Sequence, residues 1–92
     1  MASALARHIL VKTSEEAQQL KQRLAKGDDF GKLAKKYSAC KSGRRGGDLG
    51  DIRPGQMVKV IDQVIFKKPL LEIHGPIKTQ FGFHLVQVMF RD

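Results

Sequence analysis

Two histidine-bearing segments, one near each end of the chain, most constrain how the chain folds. They are His8-Ile9-Leu10-Val11-Lys12 and Thr79-Gln80-Phe81-Gly82-Phe83-His84, and both carry the branched and aromatic residues that strands favour. If these terminal strands are neighbours in one sheet, two imidazoles share a cleft and the thiol of Cys40 lies within reach. A titratable cluster of this kind in a small apolar protein is typical of a functional site.

The length of 92 residues is enough for one modest hydrophobic core and too small for two. We therefore expect a single domain over residues 1–92, with residues 1–4 as a flexible N-terminus. No apolar run exceeds three residues, which argues against a transmembrane helix or a signal-peptide core. Because Cys40 is the only cysteine, an internal disulfide is impossible, and we expect a cytoplasmic monomer.

The net charge of +8 allows two interpretations. Six basic residues fall within one short stretch that contains no acid: Lys32, Lys35, Lys36, Lys41, Arg44 and Arg45. Such a cluster can bind the phosphates of a nucleic acid or an acidic partner, but charge runs are more often solvated surface. Nothing near it resembles a zinc finger, an aromatic ribonucleoprotein motif or a recognition helix, so we do not expect a nucleic-acid partner.

The first half of the chain is predicted to form a strand, two helices and a second strand. Residues 5–11 alternate as a buried strand, and the capping box of Thr13 and Glu16 opens a helix that Gly27 ends. Asp28 or Asp29 caps the next helix, whose apolar stripe is Phe30, Leu33, Ala34 and Tyr37. The glycine-rich residues 42–47 are expected to form an exposed, mobile loop before a short strand over residues 48–52.

The second half is predicted to add one helix and two strands. The helix ends before Pro69 and is expected to turn five apolar side chains inward: Met57, Val60, Ile61, Val64 and Ile65. Gly75-Pro76 is expected to break the segment before residues 77–79, and residues 83–90 form the clearest strand. The order of elements predicts an α+β domain in which helices cover an antiparallel sheet.

Six motifs follow one another along the chain: His8-Ile9-Leu10-Val11-Lys12, Asp29-Phe30-Gly31-Lys32-Leu33-Ala34, Cys40, Gly46-Gly47-Asp48-Leu49-Gly50, Gly55-Gln56-Met57-Val58 and Phe81-Gly82-Phe83-His84. In this order they resemble the parvulin family of peptidyl-prolyl cis-trans isomerases. The whole chain most resembles the free-standing, single-domain bacterial parvulins. The resemblance implies an FKBP-like superfold with a four-stranded antiparallel sheet and three to four short helices. It also implies an isomerase without a cofactor that acts on proline-containing polypeptides, with no membrane partner.

The resemblance assigns two groups of site residues. Leu49, Met57 and Phe81 form the pocket for the proline ring, and His8, Cys40, Thr79 and His84 form its polar floor. His8 and His84 are expected to hydrogen-bond to each other, with Thr79 holding the tautomer of one ring. Cys40 is either a nucleophile or an electrostatic neighbour of the substrate carbonyl; we favour the second, because rotation about a bond needs no covalent adduct.

Two departures from the family pattern affect the expected activity. Relatives usually have a proline and a phenylalanine where this chain has Lys59 and Ile61, so Ile61 forms an apolar but non-aromatic wall of the pocket. Relatives directed to phosphorylated substrates carry an arginine-bearing insertion after the first strand, whereas Lys12 here runs directly into the acidic cap of the first helix. We therefore expect no phosphate specificity, with Lys12, Arg44 and Arg45 favouring acidic or neutral residues before the proline.

Other classes of function stay open from sequence. The chain is alternatively a weakly active peptide-binding or chaperone domain that uses the same apolar cleft, or a basic nucleic-acid-binding module. A zinc site of two histidines and a cysteine is conceivable by ligand type, but no paired ligand spacing supports it, and we expect no metal.

Overall fold

The terminal strands of the chain lie side by side in the middle of the sheet. The structure, a computed structural model, describes residues 2–92. Its elements are β1 (Ala4–Val11), α1 (Ser14–Ala25), α2 (Phe30–Tyr37), a 3₁₀ helix (Lys41–Arg45), β2 (Asp48–Ile52), α3 (Lys59–Lys67), β3 (Ile73–Thr79) and β4 (Gly82–Arg91). All strand pairs are antiparallel, in the order β2-β1-β4-β3. The predicted α+β architecture, with four antiparallel strands and a few short helices, is confirmed.

The first two helices begin, and the first one ends, where their sequence signals predict. The Thr13 hydroxyl accepts a hydrogen bond from the Glu16 N–H at 3.1 Å, and an Asp29 carboxylate oxygen accepts one from the Lys32 N–H at 2.8 Å. Each bond satisfies one of the backbone donors that a helix leaves without a partner in its first turn. Gly27 adopts φ +104 just beyond α1, a conformation that glycine tolerates best.

The sheet buries an apolar core on each of its two faces, because successive side chains of a strand point to opposite sides. The α3 face holds Ala4, Ala6, Ile52, Ile61, Val64, Ile65, Val86 and Val88. The face under α1 and α2 holds Ile9, Val11, Ala17, Leu20, Phe30, Leu33, Ala34 and Leu85. The two central strands therefore contribute to both cores, and any side chain on β1 belongs to one face or the other.

The predicted mobile loop over residues 42–47 is wrong. The segment begins within a 3₁₀ helix, and Ser42, Gly43, Gly46 and Gly47 are buried. Its backbone is fixed to β1, because the His8 N–H donates to the Gly47 carbonyl at 2.9 Å. The glycines here permit a close approach of two backbones rather than flexibility.

Two further predictions need correction. Val60 does not face inward: it is 41% exposed, on the outer side of α3. Gly75-Pro76, a cis peptide bond, lies inside β3 as an irregularity of its pairing with β4 and does not break the strand. At the N-terminus, Ala4 is buried in β1 between partners on β2 and β4, and Met1 lies outside the described residues. The single domain over residues 1–92 and the flexible N-terminus over residues 1–4 stay predictions.

Candidate active site

A small cavity lies between the centre of the sheet and the start of α3. Its volume is about 250 Å³, and it is lined by His8, Leu10, Cys40, Leu49, Met57, Val58, Ile61, Phe81 and His84. Apart from two imidazoles and one thiol, these side chains are aliphatic, thioether or aromatic. We call this the proline cavity, after the ring that the family resemblance implies it holds.

Strand geometry positions the two histidines. His8 and Leu10 are two residues apart on β1 and therefore face the same side of the sheet, while Leu10 is paired with His84 on β4. Phe81 is brought to the rim by the short turn between β3 and β4. That turn needs Gly82, because its φ is +138 and a side chain there would collide with the Val11 carbonyl.

Four side chains form a continuous hydrogen-bonded chain at the base of the cavity. The Nδ1 atoms of His8 and His84 are 3.1 Å apart, and the His8 Nε2 is 3.1 Å from the Ser42 hydroxyl. At the other end, the His84 Nε2 is 2.7 Å from the Thr79 hydroxyl, which also accepts the Phe81 N–H at 3.1 Å. The predicted contact between the histidines and the predicted contact to Thr79 are both confirmed.

Only one proton fits between the two facing Nδ1 atoms. If His8 donates there, its Nε2 accepts from Ser42, and the His84 Nε2–H donates to Thr79; the opposite direction reverses all three bonds. A pair of neutral rings can form the three hydrogen bonds in either direction. A pair in which one ring is protonated also keeps the bond between the two Nδ1 atoms. Two cations would place two protons between the Nδ1 atoms and break the central bond. The arrangement therefore excludes a doubly charged pair.

Both imidazoles favour the neutral form. His8 is 3% exposed and His84 is 4% exposed. Burial, with a smaller contribution from repulsion by His84, lowers the pKa of His8 to about 4. Burial also lowers the pKa of His84. At neutral pH the floor of the cavity is thus polar without carrying a net charge.

Three residues of this site were missed from sequence. Ser42 extends the hydrogen-bonded chain beyond His8, and Leu10 and Val58 line the cavity. The alternation of β1 was a sufficient signal for Leu10, since it follows His8 by two positions. No local signal identifies Ser42, which is 34 residues from His8 and sits in a segment predicted to be a mobile loop.

The remaining predicted residues lie in different positions relative to the cavity. Cys40 is half-buried at the wall, and Ile61 is fully buried at the base, where it also belongs to the α3 core. Thr79 supports His84 from behind the lining. Lys12 is exposed, just beyond the end of β1, and is not among the lining residues.

No metal site is formed by the part of the chain that the structure describes: residues 2–92 contain no cluster of three or more histidine, cysteine, aspartate or glutamate side chains suited to a metal ion. Within the same range, none of the helices has the length and apolar character needed to cross a bilayer. The lining of the cavity offers apolar contact, two imidazole rings and one thiol.

Known proteins share this sequence and fold. The family model of the PPIC-type PPIASE domain, named Rotamase, matches residues 8–89. The Foldase protein PrsA of Geobacillus kaustophilus is 45% identical over 84 residues, which cover 90% of this chain and 30% of that relative. The crystal structure of peptidylprolyl isomerase (PrsA) from Bacillus anthracis superimposes with a TM-score of 0.95 at 30% identity, over 99% of this chain and 42% of that one.

A second solved structure matches along nearly its whole length. NmPin, the parvuline of Nitrosopumilus maritimus, has a TM-score of 0.88 at 35% identity, and the match covers 98% of each chain. The chain thus spans less than a third of the PrsA relative but almost all of NmPin. Since the family model extends from the first histidine of the site nearly to the end of β4, and the fold agrees with the solved relatives, the chain belongs to the parvulin family of PPIC-type peptidyl-prolyl isomerase domains.

Proposed function

We propose that the chain accelerates cis–trans rotation of X-Pro peptide bonds in polypeptides. The observation that carries this proposal is the proline cavity: apolar walls around about 250 Å³, with a base of two neutral, hydrogen-bonded imidazoles. This volume is below the range of most small-molecule and cofactor sites and suits one apolar side chain. A proline ring held there places its preceding amide next to His8, His84 and Cys40.

The reaction requires only that a twisted amide be bound better than a planar one. Delocalisation of the nitrogen lone pair creates a barrier of about 18–20 kcal/mol, and X-Pro bonds exchange over roughly tens to hundreds of seconds. At the transition state the nitrogen is pyramidal and the carbonyl resembles a ketone. Contacts that strengthen only in this geometry raise the rate tenfold for each 1.4 kcal/mol, approximately.

The cavity supplies two such effects. Leu49, Met57 and Phe81 hold the proline ring while the rest of the substrate rotates. The apolar walls also remove water from the carbonyl, and this weakens the charge-separated resonance form that creates the barrier. Because both histidines are neutral and their ring nitrogens are hydrogen-bonded to each other, Ser42 and Thr79, the base adds dipoles without a cation that would stabilise the planar, charge-separated amide.

Cys40 is proposed to act as a neighbour of the carbonyl and not as a nucleophile. A nucleophilic thiol needs a base that removes its proton. All four ring nitrogens of His8 and His84 already have hydrogen-bond partners: each other, Ser42 and Thr79. This arrangement offers no imidazole nitrogen dedicated to the thiol.

A protease-coupled assay on a proline tetrapeptide tests the proposal. The wild-type chain should accelerate the slow phase of the assay, which is the isomerisation of the X-Pro bond. Met57→Ala should lower kcat/KM by about tenfold, since it removes apolar contact with the ring. Met89→Ala is the matched control, because Met89 lies outside the proline cavity, and it should leave kcat/KM unchanged. A wild-type rate equal to that of the uncatalysed reaction would contradict the proposal.

The proposed substrates are not phosphorylated before the proline. The only charged group that follows β1 directly is Lys12, and the first turn of α1 carries Glu15 and Glu16. These carboxylates oppose a phosphate near the end of the strand. A phosphoserine-proline peptide and its unmodified twin should therefore give kcat/KM values within about threefold of each other; a large advantage of the phosphopeptide would refute this.

A second candidate is binding without efficient catalysis. It is favoured by Ile61 at the base of the cavity, which gives the ring an aliphatic contact in place of an aromatic face. In that case the chain would bind unfolded polypeptides, and Met57→Ala would weaken this binding. The wild-type chain would show no effect in the protease-coupled assay.

We also propose that the chain is a monomer in a reducing compartment such as the cytoplasm. The support for the compartment is the unpaired Cys40. Light scattering across a concentration series would test the monomer, and cell fractionation would test the location.

A further inference from the structure

A second concavity, of about 700 Å³, lies on the sheet face opposite the proline cavity. α1 and α2 cover only one end of this face and leave the first residues of β1 and the last residues of β4 open. Leu5 and Met89 form its apolar floor and are 44% and 39% exposed. Phe90, which is paired with Leu5, is 54% exposed beside it. Apolar side chains left open within a concavity mark a binding surface more often than isolated ones do.

The rim of this concavity is cationic, and we call the whole feature the cationic groove. Five cations line it against two carboxylates: Arg7, Lys32, Lys35, Arg44 and Arg45 against Asp29 and Asp48. Both carboxylates are occupied in local structure, since Asp29 caps α2 and Asp48 accepts the Gly50 N–H at 2.8 Å. The cations therefore dominate the field inside the groove.

One of the cations is held rigidly at the wall. The Arg7 Nε donates to the Gln87 side chain at 2.8 Å, and its guanidinium lies 4.5 Å above the ring of Phe30. The other four cations line the groove from two elements. Arg44 and Arg45 lie on the 3₁₀ helix, and Lys32 and Lys35 are exposed on α2. This preorganisation reduces the entropy cost of binding a ligand.

The groove suits an acidic polypeptide segment better than a nucleic acid or a membrane. Its floor is formed by Leu5 and Met89, and the aromatic side chain of Phe90 lies beside the groove and not among its lining residues, so a row of unpaired bases would find few rings to stack on. A concave surface also makes poor contact with a flat bilayer, where binding relies on an apolar face that projects into the lipid. Leucine-like side chains fit the floor, and carboxylates between them fit the rim.

We propose that the cationic groove docks extended polypeptide segments rich in acidic and aliphatic residues, at a site separate from the proline cavity and independent of proline. Such a site lets the chain hold one part of a client while another part is isomerised on the opposite face. Its selectivity comes from two matched features, the charge of the rim and the apolar floor, and both are required.

Fluorescence anisotropy with short synthetic peptides tests this inference on the full chain. The probe is a fluorescein-labelled peptide of glutamate, leucine and glycine without proline. Two comparison peptides replace leucine by serine or glutamate by lysine. We expect the glutamate–leucine peptide to bind about tenfold more tightly than the serine version, since the floor requires apolar groups, and the lysine version not to bind.

Matched charge reversals separate the contribution of the groove to peptide binding from that of the overall net charge. Lys32→Glu/Lys35→Glu alters two exposed lysines at the rim and should weaken binding of the glutamate–leucine peptide at least about tenfold. Lys26→Glu/Lys67→Glu makes the same change in net charge at exposed positions outside the groove and should weaken it less than about threefold. Both variants should keep the wild-type isomerase rate on a neutral tetrapeptide, so a failure of docking and a failure of catalysis are distinguished.

Three outcomes would overturn the inference. The first is equal weakening by both double variants, which would indicate general electrostatic attraction. The second is displacement of the glutamate–leucine peptide by a proline tetrapeptide, or its loss in Met57→Ala, which would place it in the proline cavity. The third is tighter binding of a single-stranded oligonucleotide or of anionic phospholipid vesicles than of the peptide, with the same dependence on Lys32 and Lys35.

Discussion

The proline cavity and the cationic groove lie on opposite faces of one sheet and have opposite electrostatic character. The cavity has mostly apolar walls and two imidazoles that are neutral at neutral pH, whereas the groove is lined by five cations. Adjacent residues of β1 serve the two sites, because His8 faces the cavity and Arg7 faces the groove. Strand alternation thus separates a mostly apolar site from a cationic one by the thickness of a single sheet.

The 3₁₀ helix connects the two sites. Ser42 is buried and reaches the His8 ring, while Arg44 and Arg45 are exposed at the groove. One short turn therefore supports the neutral floor on one side and the cationic rim on the other. Changes to this turn should therefore affect both regions.

The largest expected effect is that of Gly47→Ala. A side chain there would collide with the His8 carbonyl, and the glycine has φ +86. We expect a loss of about 3 kcal/mol in the free energy of unfolding, from strain together with displacement of the turn. Urea titration followed by circular dichroism measures it.

Gly55→Ala is the matched control for this substitution. Gly55 has nearly the same φ, +88, but faces open space, so only the backbone strain applies. It should cost about 1 kcal/mol. Equal losses in the two variants would show that the packing of the 3₁₀ helix against β1 contributes little.

Acid should destabilise the chain because it protonates His8 in the proline cavity, and no histidine lines the cationic groove. The unfolded state binds protons on histidine below pH 6.5, whereas His8 in the folded state resists protonation down to about pH 4. Between these values the unfolded state holds more protons, so the free energy of unfolding rises with pH. The stability is fully present above about pH 6.5 and falls by about 3 kcal/mol towards pH 4, as measured by urea midpoints across this range.

His8→Asn should flatten this pH dependence, while His74→Gln, at a half-buried histidine outside the proline cavity, should retain it. Binding of the glutamate–leucine peptide to the cationic groove should change little between pH 7 and about pH 5.5, because no histidine lines the groove. A pH dependence that persists in a folded His8→Asn variant would assign the acid sensitivity to other groups.

Cys40→Asp and Cys40→Ser test whether the cavity needs a thiol. If Cys40 is an electrostatic neighbour of the carbonyl, both variants should retain kcat/KM within about tenfold of the wild type in the protease-coupled assay. Complete inactivity of both variants, with unchanged circular dichroism and unchanged peptide binding at the groove, would instead support a nucleophile.

Ile61→Phe has the smallest expected effect and acts only on the cavity. An aromatic wall should raise kcat/KM by roughly twofold to tenfold, the rate equivalent of one favourable aromatic contact. Because Ile61 is fully buried, the larger ring must extend into the cavity, and some stability should be lost. A variant that is no better than the wild type would show that the aliphatic wall holds the ring equally well.

Much of the fold was predictable because it depends on local patterns. The cap at Thr13, the helix end at Gly27 and the strand alternation near His8 act over a few residues, and each was identified from the sequence; Asp29 was one of two caps that the sequence offered for the second helix. The pairing of the terminal strands was also predicted, as a condition for the two histidines to meet. These features follow from backbone geometry and hydrogen bonding that every chain shares.

The rest was decided by packing between distant segments. The sequence of residues 42–47 is typical of a flexible loop, yet burial against β1 turns it into an ordered support for His8. Val60 has the apolar character of a core residue, but the orientation of α3 leaves it exposed. The basic residues of α2 and the 3₁₀ helix looked like solvated surface, and only the sheet register brings them around Leu5 and Met89.

The sequence by itself determined the order of elements, the starts of the first two helices, the end of the first helix, the family and most of the residues that line the proline cavity. The tertiary structure alone decided that Ser42 completes the hydrogen-bonded chain and that the cations share a groove on the other face. The physical reason is the distance along the sequence over which each feature acts. Periodicity and capping are encoded within one element, whereas these contacts join residues that meet only when the sheet has formed and both of its cores have packed.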